Sequence, residues 1–261
     1  MNTLKKIFLL MMMVAFSMGA IAENAEEQEQ EQPQAQQFVE GKQYIRVSTD
    51  VLENDLVQEL MKESEGKVQV IEFFSYGCSW CYKLDDPLGA WLENKKDEIA
   101  FQRVPVEFQP SWRTLSKAYY VAVDLQELPK IHHPLFKAIH SDEITSSSED
   151  VLRAFFVAQG VSGEAFDQAF DSFSVNRKHK WANAISHAYK VTAVPTLFIQ
   201  GQDGVYSTSV RLAGSQEAVL EVADYLIQKQ QEAAKASANE MNAEQASSPA
   251  LKKEAEKERS H

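Results

Sequence analysis

Cys78-Ser79-Trp80-Cys81 holds the only two cysteines of this 261-residue chain, and its position constrains the fold more than any other feature. It stands directly after Val68 to Phe74 (VQVIEFF), a β-branched and aromatic run that is nearly continuously apolar. That is the pattern of a central strand covered on both faces. The turn Ser75-Tyr76-Gly77 follows, and the residues from about Cys78 toward Lys95 read as a helix bent or interrupted at Pro87. Ile99 to Phe108 is a second strand candidate. Strand, helix and strand imply a right-handed crossover and a parallel pair.

The two ends lie outside that unit. Residues 1–22 begin with Lys5 and Lys6, run uncharged from Ile7 and end small-x-small at Ala20-Ile21-Ala22, which reads as a secretory signal peptide cut after Ala22. Its uncharged run of 16 residues is short of the roughly 20 needed to span a bilayer. Residues 23–37 contain five Glu and no large apolar side chain, and such a segment cannot offset its own ordering entropy. They read as a flexible acidic tether. Residues 229–261 have only Met241 and Leu251 as larger apolar side chains; without a stripe to pack they read as a low-complexity, disordered tail. The net charge of −12 argues against nucleic acid as a partner, because phosphate neutralisation needs clustered Lys and Arg.

From Trp112 to Tyr189 the pattern is helix after helix. Leu115, Tyr119, Ala122 and Val123 mark the first, and Leu135, Phe136 and Ile139 the second. Leu152, Phe155 and Phe156 mark a third, with Ser147 and Asp150 spaced as a capping box. Phe166, Phe170 and Phe173 mark a fourth, and Trp181, Ile185 and Tyr189 a fifth. Strand signals return at Thr196 to Ile199 and Val205 to Leu212, joined by the hairpin connection Gly201-Gln202-Asp203-Gly204. Ser215 then caps a final amphipathic helix through Val219, Val222 and Leu226. The fold class is therefore α/β with an all-helical block inserted.

Chemistry must come from the one cysteine pair. Residues three apart on a helix have Cβ atoms about 5–6 Å apart, so modest adjustment closes a disulfide. The first sulfur sits where the unpaired amides of the helix start point, and a thiolate is favoured there over a thiol. Cys81, one turn in, is expected to be shielded by packing. An accessible thiolate with a buried partner defines an exchange pair. Other readings remain: a structural staple closing four residues is worth about 2 kcal/mol, against about 5 for a 100-residue loop. A metal site needs two more ligands, and the adjacent His132 and His133 are not expected to face one ion together. Covalent haem attachment needs His after the second cysteine, where Tyr82 stands.

Glu72 shares a strand face with Val70 and Phe74, where an ionised carboxylate is costly without a partner. A buried acid there can shuttle the proton that Cys81 gains or loses; pairing with Arg103 is the alternative. Val194-Pro195 precedes a strand, and a cis bond there leaves the Val194 backbone free to pair with an extended peptide. His140, His179 and His187 read as surface or packing residues.

Taken together, Ile71-Glu72-Phe73-Phe74-Ser75-Tyr76-Gly77-Cys78, Cys81-Tyr82 and Val194-Pro195 in this order resemble the DsbA family of periplasmic thiol:disulfide oxidoreductases. The resemblance implies a thioredoxin-like fold, with residues 38–111 and 191–228 as its two parts and 112–190 as the inserted helical domain. It implies Cys78 as exposed nucleophile, Cys81 as buried partner, Glu72 as buried acid, Ser79 and Trp80 as the active-site dipeptide, and Val194 and Pro195 as the substrate-binding cis-proline loop. No cofactor or metal is implied beyond the Cys78-Cys81 disulfide itself. Reduced exported proteins would be substrates, a DsbB-type membrane protein the reoxidant and the periplasm the location. Valine before the proline resembles the oxidase branch, since isomerases usually carry threonine there. Two departures stand out. Trp80 replaces the usual histidine and its favourable charge, which leaves the oxidising strength, and with it an isomerase or reductase, open. The stretch from Val51 to Glu65 is longer than usual. A metal-carrying or chaperone module and a homo-oligomer also stay open.

Overall fold

The computed structural model describes residues 38–64 and 66–247; the leader, the tether and the last part of the tail lie outside them. Five strands form one sheet in the order β1-β5-β4-β2-β3: β1 Ile45–Arg46, β2 Val68–Phe74, β3 Ile99–Pro105, β4 Thr196–Gly201 and β5 Gly204–Ser209. All seven residues of β2 are buried, because it lies inside the sheet with helices over both faces. It pairs in parallel with β3, setting Glu72 opposite Arg103, and antiparallel with β4. Helix α1 (Asp55–Glu63) precedes β2, and α2 (Ser79–Lys95) is the crossover from β2 to β3.

Between β3 and β4 come α3 (Trp112–Asp124), α4 (Leu128–His140), α5 (Glu149–Ala158), α6 (Gly163–Phe170) and α7 (Phe173–Ala188). After β5 a short α8 (Val210–Ala213) leads to α9 (Gln216–Ser247). Two apolar layers result. Ile71, Phe73 and Phe198 face the inserted helices, where Phe136, Phe156 and Phe166 are buried with them. Val70, Leu197 and Ile199 face Leu84 and Leu88 of α2 and Val219, Val222 and Leu226 of α9. Each such side chain is worth about 1.5–3 kcal/mol when fully buried.

Several boundaries differ from the sequence expectation, each for a local reason. β3 stops at Pro105, which has no N–H to continue a ladder. β5 stops at Ser209 rather than Leu212, since the Ser209 hydroxyl accepts from Leu212 N at 3.3 Å and starts α8. Helix α5 is capped at Ser148 without a side-chain bond; Ser147 instead donates from Oγ to Ser111 O at 2.7 Å. Ser215 accepts from Ala218 N at 3.0 Å, as expected of a cap.

The boundary at residue 228 needs correction, because it falls inside α9. Lys229 reaches the Asp203 carboxylate and lies 2.9 Å from Tyr206 Oη. Gln230 is 1% exposed, accepts from Asp203 N at 2.8 Å and donates to Gly204 O at 2.9 Å. A search for apolar stripes overlooks such polar anchors, and the Ala, Glu, Lys and Gln that follow are strong helix formers. From Ala238 to Ala243 every side chain is exposed. Truncation after Gln228 is therefore expected to lower stability by about 1–3 kcal/mol, since two anchored side chains are lost with their hydrogen bonds. Truncation after Ser237 should cost less than about 0.5 kcal/mol. Denaturant unfolding of both forms checks this, and equal stabilities would refute the anchoring role.

Candidate active site

The site begins where β2 ends. Cys78 is the N-cap of α2, with extended backbone at φ −100° and ψ 115°, so its sulfur turns back over the first helical turn. Sγ accepts from Cys81 N at 3.3 Å, and Cys78 itself is half-buried while Cys81 is fully buried. Both stand as free thiols. The Cys81 thiol donating to Cys78, with the Cys81 and Trp80 amides, lowers the Cys78 pKa to about 7 against the opposing effects of burial and the Glu72 charge. Burial pushes Cys81 well above the usual thiol range. One sulfur is thus ionisable near neutrality, and the other holds its proton.

Gly77 is required for this approach, because a Cβ there would lie 2.3 Å from Nε1 of Trp112. Ser79 and Trp80 are exposed, Trp80 at 52%, and Lys83 Nζ stands 4.6 Å over the indole ring. Opposite the pair, the peptide bond between Val194 and Pro195 is cis. Val194 O lies 3.5 Å from Cys78 Sγ. Trp80, Val194, Pro195, Val210 and Leu212 line a groove of about 770 Å³ that includes the cis-proline loop beside this sulfur, a size suited to a few residues of ligand.

A buried polar cluster lies on the α2 side of β2. Glu72 is 2% exposed, and Arg103 donates from Nε to Glu72 Oε2 at 2.7 Å. Glu72 is thus deeply buried, and it is paired with Arg103, the alternative its position left open. The same guanidinium reaches Asp85 Oδ1 at 3.3 Å. Burial pushes the Glu72 carboxyl up, with Arg103 opposing. Asp85 is also buried, but His132, Arg103 and His133 outweigh that effect and hold its carboxyl below the usual range. His132 Nε2 and His133 Nδ1 each lie 3.0 Å from Asp85. The two rings, not expected to face one point, converge on one carboxylate.

His132 Nδ1 lies 2.8 Å from Tyr76 Oη, while His140 Nε2 contacts Tyr76 O at 2.9 Å and the His140 ring stacks on Tyr82 with centroids 5.0 Å apart. His179 pairs with Glu107 at 2.9 Å, away from this cluster. Sequence reasoning missed Asp85. Its signal was present: Cys81, Leu84, Asp85 and Leu88 fall at i, i+3, i+4 and i+7, an acid in a buried stripe. Among the described residues, Asp85, Asp86 and His133 group closely enough to hold a cation; neither cysteine belongs to that group.

Chemically, this arrangement can accept attack at the half-exposed sulfur, expel the buried one as a leaving group and supply it with a proton. Comparisons with known proteins point the same way. A family model described as a DSBA-like thioredoxin domain matches residues 69–220. The chain is 30% identical over 193 residues to the thiol:disulfide interchange protein DsbA of Azotobacter vinelandii, covering 74% of this chain and 85% of that one. The crystal structure of Pseudomonas aeruginosa DsbA matches at a TM-score of 0.66 and 29% identity, covering 76% of this chain and 97% of that one. Proteus mirabilis DsbA, solved in complex with a non-covalently bound peptide PWATCDS, matches at a TM-score of 0.59 and 26% identity, covering 75% and 99%. The chain belongs to the family of DSBA-like thioredoxin domains.

Proposed function

We propose that this protein is a thiol:disulfide oxidoreductase that introduces disulfide bonds into exported proteins through Cys78 and Cys81. The observation that carries this reading is the asymmetry of the pair: a half-exposed sulfur whose pKa is about 7 lies against Val194 of the cis-proline loop, and a fully buried partner stands one turn behind it. A substrate thiolate attacks Cys78 Sγ of the Cys78-Cys81 disulfide, forming a mixed disulfide and releasing Cys81. Glu72, whose pKa burial raises, gives Cys81 its proton. A second substrate thiolate then attacks the substrate sulfur of the mixed disulfide, and Cys78 leaves as a thiolate. The substrate loses two electrons to its new S–S bond, and the protein gains them as a dithiol.

Val194, beside Cys78, offers its backbone to an extended peptide, and the peptide bound by the Proteus mirabilis relative supports a peptide as occupant. No cofactor is required beyond the cysteines. Export by the leader at residues 1–22, action in the periplasm and reoxidation by a DsbB-type membrane protein complete the reading. The disulfide isomerase alternative requires a pair kept reduced. Acid trapping from cells separates the two, since predominantly oxidised cysteines support the oxidase and predominantly reduced ones the isomerase.

Replacing Cys81 by Ser should trap mixed disulfides between Cys78 and substrates, whereas Cys78→Ser should trap none; adducts only in the second variant would reverse the assignment. Alkylation of the reduced protein should rise with pH to half its maximum near pH 7, the value set for Cys78. Because that value is depressed from 9.0, the thiolate's contribution to the stability of the reduced chain is fully present above pH 9.0 and is lost as the pH falls through 7. Thermal unfolding of the reduced wild type against Cys78→Ser across this range measures it, and a difference that grows toward low pH would contradict the sign.

Glu72→Gln removes the proton donor while keeping the shape, so formation of the mixed disulfide, the step that releases Cys81, should slow by about tenfold or more. An unchanged rate in rapid-quench experiments would leave Glu72 a purely structural partner of Arg103. Trp80→His is expected to make the protein a stronger oxidant, because an added donor or charge stabilises the Cys78 thiolate and hence the reduced form. One interaction of about 1.4 kcal/mol raises the potential by about 30 mV. Equilibration of both proteins with glutathione buffers reads this directly; a potential that stays equal or falls would show that position 80 does not limit the thiolate.

A further inference from the structure

The groove beside Cys78 has a charge opposite to that of the chain. With a net charge of −12 overall, the protein lines this groove, among the described residues, with Lys190 and Arg211 and with no carboxylate. Lys83 adds a third cation at the edge, held over the Trp80 ring. Lys190 is compensated by Asp50, 2.5 Å away. Lys83 and Arg211 are exposed, and among the described residues no carboxylate forms an ion pair with either. The same groove is apolar at its floor, where Val194, Pro195, Val210 and Leu212 lie. Trp80, which lines the same groove, is 52% exposed.

We propose that Trp80, Lys83 and Arg211 determine specificity, making the groove favour reduced polypeptide segments that carry a large apolar side chain and an acidic side chain close to the reacting cysteine. This inference rests on the exchange reading above and names the substrate class of that site. Three physical effects support it. An indole fixed by an overlying ammonium offers a rigid aromatic surface at low entropic cost. An apolar side chain packed there positions the neighbouring cysteine against Cys78. Two cations beside low-dielectric walls attract a carboxylate more strongly than the same charges on a flat surface. A basic segment meets repulsion from both.

The test uses the oxidised full chain and a series of reduced two-cysteine peptides, identical except for Glu, Gln or Lys beside the first cysteine and Phe or Ser on its other side. Second-order rates of peptide oxidation are read by acid quench and mass spectrometry. At low ionic strength the Glu peptide should react about tenfold faster than the Lys peptide, and the ratio should fall toward one in about 1 M salt, where the screening length is about 3 Å. The Lys83→Glu, Arg211→Glu double variant should reverse the order. Trp80→Ala should shrink the advantage of Phe over Ser. A folding defect lowers the rates of all peptides together and cannot invert a ratio. Equal rates across the charge series in the wild type, or an unaltered Glu-over-Lys ratio in the double variant, would overturn the proposal while leaving the exchange reading intact. If the wild-type disulfide oxidises none of the peptides, the exchange reading falls first and this inference with it.

Discussion

The amide groups at the start of α2 have no partners within the helix, and the sulfur of Cys78 meets them. The site depends on that contact. It requires a strand that ends in a tight turn, a residue at position 77 without a side chain because Trp112 occupies the space, and a helix whose second turn is already packed into the core. Those conditions place the two sulfurs of one helical turn in different media. Cys78 meets amides and solvent, and Cys81 meets hydrocarbon. A difference in pKa between chemically identical groups follows from burial alone, and the backbone hydrogen bonds widen it.

Burying Glu72 beneath the pair carries an electrostatic cost. An isolated carboxylate in such a place would take up a proton; here one guanidinium serves both Glu72 and Asp85. Two carboxylates share one permanent cation, and the histidine pair, with His133 reaching solvent, contacts the second carboxylate. Asp85, with the imidazoles close by, stays ionised, whereas Glu72, which has only Arg103, is pushed toward its neutral form. Of the two buried acids, it is therefore Glu72 whose carboxyl is shifted upward. Removing Arg103 would leave Glu72 buried without its cation and Asp85 with the imidazoles alone, a change of the kind that costs about 3–5 kcal/mol.

Much of this was legible in the sequence. VQVIEFF followed by a turn and a CxxC helix pointed to the parallel β2-β3 unit, and the spacing of aliphatic and aromatic side chains pointed to the inserted helices α3 to α7. Apolar pattern is a strong signal because it reports the largest favourable energy. Glu72 was visible as a charge within that pattern. The partners that make it tolerable were not. Asp85 and His132 come from different helices, α2 and α4, and converge only in three dimensions. Gln230 anchors α9 through hydrogen bonds that no hydropathy pattern records. The groove depended on Arg211, at a strand-to-helix switch governed by the hydroxyl of Ser209, a local polar effect outweighing the strand propensity of Val205 to Leu212.

Trp80 bears on the balance of the chemistry. A cation at position 80 would hold Cys78 more firmly as a thiolate, making it a better leaving group but a weaker nucleophile, since nucleophilicity falls as pKa falls. With an indole there, the thiolate rests on backbone amides and the Cys81 thiol, and its pKa of about 7 lies near ambient pH. Cys78 can then both attack and depart near neutrality, and the net direction of exchange follows from the potentials of the substrate and the reoxidant as well as from this sulfur. The exposed aromatic ring that weakens the electrostatic drive is also the ring that lines the groove beside Cys78.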